Sequence, residues 1–119
     1  MQLTRERAIT LHRRMWRWIG LKTLKEKRCV RKEEWFKRFK LNKICLDCYC
    51  CEYDLLYLIE FNSGGDCAAC PIDWGGKGRC YDEKALLALW KEATWFQNDE
   101  KAGKLALQIA ELPERKSMT

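Results

Sequence analysis

Two pairs of cysteines, each with two residues between its members, constrain this chain more than any other feature. The pairs are Cys48-x2-Cys51 and Cys67-x2-Cys70, and fifteen residues lie between them. Two intervening residues let one tight turn present both thiolates to one ion, and a second such turn completes a tetrahedron. Because four thiolates leave no coordination position for water, the spacing predicts one structural zinc ion rather than a catalytic one.

The choice of ligands has alternatives among the eight cysteines. Cys45-x2-Cys48 competes as the first pair, and Cys80 can take the place of Cys67 or Cys70. The remaining two are interpreted as small buried side chains that bind no metal, Cys29 and Cys50.

The cofactor has alternatives as well, since the same thiolates can form disulfides or hold an iron–sulfur cluster. The first residues show no apolar secretory signal, so we expect a cytoplasmic location, where thiols stay reduced. A Cys-x2-Cys redox motif would need a βαβ context, and the sequence offers almost no convincing strand. Zinc is therefore the predicted metal.

Positive charge is concentrated in the first third of the chain. Residues 1–43 hold 15 Lys and Arg against 4 Asp and Glu, a net charge of +11, whereas residues 44–119 hold 8 against 13, a net of −5. This asymmetry indicates an anionic partner for the first segment, with pairing to the acidic remainder as the alternative. The residues predicted to contact that partner are Arg13, Arg14, Arg17, Lys22, Lys25, Arg28, Arg31 and Arg38.

Aromatic residues interleave with these charges, and exposed rings can stack on nucleic-acid bases. The rings are those of Trp16, Trp18, Trp35, Phe36 and Phe39. Large apolar side chains more often pack inside, so we expect these rings in the core and the charges as the contact surface.

Apolar residues recur at helical spacing along much of the chain, which predicts an all-α fold of four to five helices with a zinc-stapled, cysteine-rich loop region. With 119 residues, the chain 1–119 is expected to be a single domain. Its predicted parts are a basic helical segment, the zinc-binding cysteine cluster, the C-terminal helices and a frayed tail, at residues 1–43, 44–81, 82–113 and 114–119.

The first predicted helix covers residues 4–19, with Thr4 as a candidate N-cap. It ends at Gly20 or continues to about Lys27, because the apolar stripe extends that far. A short second helix is predicted over residues 32–39.

Three further helices are predicted. One covers residues 51–61, with four aliphatic side chains inside, Leu55, Leu56, Leu58 and Ile59. The next covers residues 82–97, with Asp82 as a candidate N-cap and an apolar face made by Leu86, Leu89, Trp90 and Ala93. The last begins at Asn98 or Asp99, follows the amphipathic template closely and ends at Pro113.

The cysteine-rich sequence resembles a group of small bacteriophage proteins, mostly of unassigned function. The most specific element is Cys67-Ala-Ala-Cys70-Pro-Ile-Asp-Trp74, and the first and last helices, AITLHRRMWRWI and ALQIAELP, are also similar. The group's five cysteines match Cys48, Cys51, Cys67, Cys70 and Cys80, whereas Cys29, Cys45 and Cys50 depart from its pattern. The resemblance implies phage origin and the host cytoplasm, and it implies no particular activity.

Residues suited to catalysis are scarce. His12 is the only histidine, and it falls on the apolar side of the first helix, where a core role is favoured over general-base chemistry. A hydroxyl nucleophile would lack an evident base, and neither a P-loop nor a dinucleotide-binding fingerprint is present. We therefore predict a protein that is not an enzyme and has no small-molecule substrate.

The first functional hypothesis is nucleic-acid binding through the basic N-terminal segment. The alternative is an adaptor or inhibitor that binds a host protein, for example a host defence or transcription component, with exposed Trp16 or Trp35 as its anchor. No apolar run is long enough to span a bilayer, so no membrane partner is expected. Salt-dependent binding to nucleic acid distinguishes the two hypotheses.

Overall fold

The computed structural model describes residues 3–39, 49–61, 70–74 and 85–115. These residues form five α-helices and no β-strand, which confirms the all-α prediction for the described part of the chain. The helices are α1 (Arg5–Glu26), α2 (Lys32–Phe39), α3 (Tyr49–Phe61), α4 (Leu86–Trp95) and α5 (Asp99–Ala110). None of the five combines the length and the apolar character that crossing a bilayer requires.

Helix α1 is capped at both ends. The Thr4 hydroxyl accepts a hydrogen bond from the backbone N–H of Arg7 at 3.1 Å, as predicted. At the other end, Lys27 takes a left-handed conformation with φ of 55° and donates its N–H to the Thr23 carbonyl. The helix therefore follows the longer of its two predicted courses and passes through Gly20.

α1 packs on α5 more extensively than on any other described helix, and the two approach closely at a pair of glycines. A Cβ atom on Gly20 would lie 2.9 Å from the carbonyl oxygen of Gly103, and one on Gly103 would lie 3.3 Å from the carbonyl oxygen of Gly20. Fully buried residues flank this contact on both helices, including Ile19, Ala106 and Ile109. Because neither glycine has a side chain, the two backbones can meet here.

The turn from α1 into α2 is fixed by Val30, which is 1% exposed and donates its N–H to the Thr23 hydroxyl at 3.2 Å. α2 then buries Trp35, whose indole N–H donates to the Tyr49 hydroxyl at 3.1 Å. Burial raises the pKa of the Tyr49 phenol, so the hydroxyl keeps its own proton while it accepts this bond. The contact ties α2 to the first residue of α3.

Helix α3 begins at Tyr49, two residues before its predicted start, and contacts α1 through its first turn. Cys50 is fully buried there, and its thiol donates a weak hydrogen bond to the Ala8 carbonyl, with an Sγ–O distance of 3.8 Å. This placement agrees with the interpretation of Cys50 as a core residue.

The prediction that the aliphatic residues of α3 lie inside is wrong for three of the four. Leu55 and Leu58 are each 37% exposed and Ile59 is 70% exposed, whereas Leu56 is half-buried. α3 carries apolar residues on nearly every side, so sequence periodicity could not decide which side would meet α1.

The buried face of the fourth helix differs in part from the predicted face. Its described part begins at Leu86, and Asp82, the predicted N-cap, lies outside the described residues. Leu87 and Trp90 are buried, while Leu86 and Leu89 are half-buried at the edge of the core. The face that packs on α5 is therefore rotated slightly from the predicted one.

α5 begins at Asp99, the second of its two predicted starts, and Asn98 is its N-cap. The side chain of Asn98 accepts a hydrogen bond from the N–H of Lys101 at 3.2 Å and so caps the helix. Its predicted apolar positions are buried: Ala102, Leu105, Ala106, Ile109 and Ala110.

Residues 70–74 pack beside residues 113–115, which follow α5. Two backbone hydrogen bonds join them, from the Asp73 N–H to the Pro113 carbonyl at 2.9 Å and from the Arg115 N–H to the Pro71 carbonyl at 2.7 Å, and together they form an antiparallel bridge of Ile72 with Glu114. The predicted frayed tail thus differs from the structure at its first two residues, which gain backbone partners. Residues 116–119 lie outside the described residues.

Candidate nucleic-acid interface and metal-binding region

An open cleft of about 740 Å³ lies between the solvent-exposed face of α1 and the side of α2. Helical periodicity brings residues 7, 14, 17, 18 and 21 to this face, while residues 8, 12, 15 and 19 enter the core. α1 therefore supplies the rim of the cleft and part of its floor, and α2 supplies the opposite wall. The residues that line the cleft include Arg7, Arg13, Arg14, Arg17, Trp18 and Leu21 from α1, and Trp35 and Phe39 from α2.

The arginines on the rim include three that the sequence predicts. Arg14 and Arg17 are exposed and form no ion pair with any described carboxylate. Arg13 reaches Glu114 only at 4.0 Å, between side chains that are 41% and 51% exposed. Such an exposed pair contributes little, so the rim keeps most of its positive charge for a partner.

The floor of the cleft is aromatic. Phe39 lies 4.4 Å from Trp35 and 5.8 Å from Trp18, measured between ring centroids. Trp35 is buried, Trp18 is half-buried, and Phe39 and Leu21 are 42% and 55% exposed. The expectation that the rings pack inside holds for Trp35 and does not hold for Phe39, which presents an apolar surface to solvent.

Two further residues that were predicted to contact the anionic partner lie over these rings. The Lys22 ammonium lies 4.9 Å from the Trp18 ring and 3.3 Å from Glu26, and the Arg38 guanidinium lies 5.1 Å from the Phe39 ring. Both are cation–π contacts, so the aromatic floor already holds positive charge at its edges.

Lys25, Arg28 and Arg31 do not line this cleft. Lys25 is exposed in the last turn of α1. The Arg28 guanidinium forms a two-bond contact with the Glu34 carboxylate at 2.7 and 3.0 Å, and it also reaches Glu26 at 2.9 Å. These bonds raise the pKa of Arg28 and lower that of Glu34, since each charged form is stabilised by the other.

Arg31 lies on the other side of α2. Its backbone N–H donates to Glu34 at 3.1 Å, and the residue borders a second pocket together with Trp90 and Trp95 of α4. The structure thus separates the predicted basic surface into two parts, one at the cleft and one at the turn between α1 and α2. In the second part, the charge of Arg28 is paired with the carboxylates of Glu26 and Glu34.

The sequence reasoning missed Arg7, Thr10 and Leu21 as lining residues. A signal existed, because Arg7 and Arg14 are seven residues apart and therefore lie on one face of a helix. The predicted contact surface begins at Arg13 and does not include the two helical turns before it. The cleft extends along α1 to include them.

The predicted metal ligands lie mostly outside the described residues. Cys48, Cys67 and the alternates Cys45 and Cys80 fall there, and Cys51 is placed only as part of the first turn of α3. Among the described residues, no group of three His, Cys, Asp or Glu side chains could hold an ion. The zinc site therefore stays a prediction, and so does the choice among its ligands.

Cys70 is the one predicted ligand whose side chain is described. It is 1% exposed, and the residues after it are also buried, with Ile72 at 0% and Trp74 at 5%. A thiolate at a buried position needs a positive partner, which a zinc ion would supply. These surroundings fit a structural zinc ion.

Cys29, predicted to bind no metal, lies in the short segment between α1 and α2. It is half-buried between α1 and α2 and is a free thiol. Burial raises its pKa, and the nearby charge of Asp99 raises it further. The side chain therefore stays a neutral thiol at physiological pH.

His12 lies in the core, as predicted. It is fully buried, its Nε2 lies 3.1 Å from the Ile109 carbonyl oxygen, and its ring meets Trp74 edge to face at 5.9 Å. The ring joins α1, α5 and the segment after Cys70. A histidine enclosed in this way has no access to a substrate, and it acts in packing.

Comparison with protein-family models, with curated proteins and with solved structures gives no match for this chain. The resemblance to the small bacteriophage proteins stays a prediction.

Proposed function

We propose that the protein binds nucleic acid through the basic face of α1, and that a single structural zinc ion holds its cysteine-rich middle. The observation that carries the proposal is the cleft in which Arg14 and Arg17, without carboxylate partners among the described residues, stand beside the exposed ring of Phe39. Phosphates bind arginine, and aromatic rings bind bases.

Most of the affinity would come from phosphate neutralisation. Arg7, Arg14 and Arg17 are distributed along three turns of a rigid helix, and each phosphate they neutralise releases counterions. α5 follows α4 after three residues, but it packs on α1 and supplies no residue to the cleft, so base-specific readout by a recognition helix is not expected. Binding is then weakly selective for sequence and strongly dependent on salt.

The zinc ion would have a structural role. Cys48, Cys51, Cys67 and Cys70 are the proposed ligands, with Cys45 and Cys80 as alternates. When bound, the ion would link the start of α3 to the segment that carries Trp74. That segment contacts His12 of α1, so the metal would support the helix that bears the binding surface.

A fluorescence-anisotropy titration with labelled DNA and RNA at several salt concentrations tests the proposal. We expect log Kobs to fall with log salt by about 0.9 for each duplex phosphate contacted, and by about 0.7 on single strands. Replacing Arg13, Arg14 and Arg17 together by Glu should abolish binding. The matched control replaces Lys101 and Lys104 on α5, outside the cleft, and should bind like wild type.

A protein that does not bind nucleic acid at low salt would refute the proposal. The second candidate, an adaptor or inhibitor of a host protein, is then favoured. The anchors predicted for it are wrong, because Trp16 is 0% and Trp35 is 5% exposed. A different observation supports it: Trp95 and Phe96, adjacent at the end of α4, are 79% and 72% exposed. Aromatic side chains exposed in this way are common anchors of protein interfaces.

A further inference from the structure

The cleft between α1 and α2 combines two properties that a surface for duplex phosphates does not need. Its rim is cationic, and its floor is apolar and aromatic, formed by Trp18, Leu21, Trp35 and Phe39. A duplex would satisfy the arginines and leave this floor uncovered, because its bases stay stacked inside the helix. The exposure of Leu21 and Phe39, 55% and 42%, therefore calls for a ligand with an apolar face next to its negative charge.

We propose that this cleft binds an unstacked base of a single-stranded nucleic acid, with the adjoining phosphates on Arg14 and Arg17. The inference rests on the proposed function and specifies its ligand. A nucleobase has a flat π-face for Phe39 and a phosphate one sugar away for the rim. The volume, about 740 Å³, falls in the range of clefts that enclose small ligands, about 300–1,000 Å³.

The positions of the side chains agree with this occupant. Arg14 and Arg17 are three residues apart, so their Cα atoms are separated by about 4.5 Å along the axis of α1 and both border the same cleft. Arg38 and Lys22 stand over the Phe39 and Trp18 rings at the edges of the floor. Cations in these positions can also stack on a base or reach its phosphate. An uncharged apolar ligand would offer no partner to Arg14 and Arg17, which form no ion pair among the described residues.

The rigidity of the floor follows from its packing. The indole N–H of Trp35 donates to the Tyr49 hydroxyl, and the Trp18 ring meets Trp35 at 5.9 Å and Phe39 at 5.8 Å. The rings are thus held against the core before a ligand binds. A preformed surface of this kind binds a base with little ordering of side chains.

The experiment compares three labelled probes of equal length by anisotropy: oligothymidine, the same backbone with abasic residues, and a duplex. The first two carry equal numbers of phosphates and differ only in their bases. Stacking of one base predicts that oligothymidine binds roughly 5- to 150-fold more tightly than the abasic strand. Phe39→Ala should remove this preference and leave the affinity for the abasic strand unchanged.

Two further variants make the test specific. Leu21→Ala should weaken the same preference from the α1 side of the cleft, and Trp95→Ala, an exposed aromatic outside it, should leave it intact. Equal binding of oligothymidine and the abasic strand by wild type would overturn base insertion while phosphate binding stands. Failure of all three probes to bind would instead overturn the proposed function itself. Circular dichroism of each variant establishes that α1 and α2 remain folded.

Discussion

Gly20 of α1 and Gly103 of α5 oppose each other where the two helix backbones come close together. The contact is asymmetric: a Cβ on Gly20 would meet the Gly103 carbonyl oxygen at 2.9 Å and the Leu107 side chain at 2.7 Å, whereas a Cβ on Gly103 would meet the Leu24 side chain at 2.7 Å and the Gly20 carbonyl oxygen at 3.3 Å. Leu24 is half-buried and can rotate, but a carbonyl within a helix cannot.

Gly20→Ala should therefore destabilise the protein more than Gly103→Ala. Overpacking of this kind costs roughly 1–3 kcal/mol, while alanine recovers up to about 1 kcal/mol of helix propensity. We expect Gly20→Ala to show a clear loss of unfolding free energy and Gly103→Ala to lie near wild type. Urea unfolding of both variants measures the difference, and equal free energies would contradict the asymmetry.

Purified protein should contain about one zinc ion per chain, and Cys70→Ser should lose it. Structural zinc contributes about 10–16 kcal/mol of apparent binding free energy, which is comparable to the whole stability of a domain. We therefore expect Cys70→Ser to unfold at least in part. Elemental analysis of the purified variants is the direct measurement.

Two cysteine controls separate loss of metal from loss of packing. Cys50→Ser changes a fully buried thiol in contact with Ala8, so it should cost stability and retain zinc. Cys29→Ser should leave both zinc content and melting temperature nearly unchanged. Loss of zinc from Cys29→Ser would show that the ligand assignment is wrong, as would a wild-type protein with disulfides and no metal.

The contact between Arg28 and Glu34 should make stability depend on pH in the acid range. The hydrogen bond from Arg28 lowers the pKa of Glu34 below its ordinary value of 4.5, so the contribution is present above that value. It is lost as pH falls through the lowered pKa of the folded state. Arg28→Gln should thus melt slightly below wild type at neutral pH, with the gap closing in acid.

Differential scanning fluorimetry across a pH series measures that gap. Lys101→Gln removes the same charge from an exposed position that makes no ion pair among the described residues, so its melting temperature should follow wild type at every pH. Comparing the variants at each pH cancels any shared effect of zinc loss in acid. A gap that persists unchanged below pH 4.5 would contradict the assignment to Glu34.

The helices that could be predicted well are those whose sequence carries both periodicity and a cap. Thr4 and Asn98 bond to the backbone as their positions predict. α3 was placed correctly along the chain, yet Ile59 is exposed although it was predicted inside. The sequence of a helix that is apolar on most sides does not predict which side will be buried. In α3 that side is determined by the contact with α1.

The candidate site was predictable in its charge and not in its boundaries. Arg14 and Arg17 were selected from the basic run and do line the cleft. Arg28 belongs to the same run, but the left-handed residue Lys27 turns the chain so that Arg28 meets Glu34. The ion pair of Arg28 with Glu34 depends on how the chain folds back after α1, and the local sequence does not predict this. The exposed Phe39 is likewise a result of how α2 lies on α1.

The packing of α1 on α5 has a consequence for biosynthesis. α1 is translated first, and its principal packing partner emerges only after the cysteine-rich middle and α4 have been made, at about 5–20 residues per second. Until α5 arrives, the positions of α1 that it covers lack their partner, among them His12, Gly20 and Leu24. On the ribosome the nascent chain is therefore expected to carry this uncovered stripe beside its arginines for most of its synthesis.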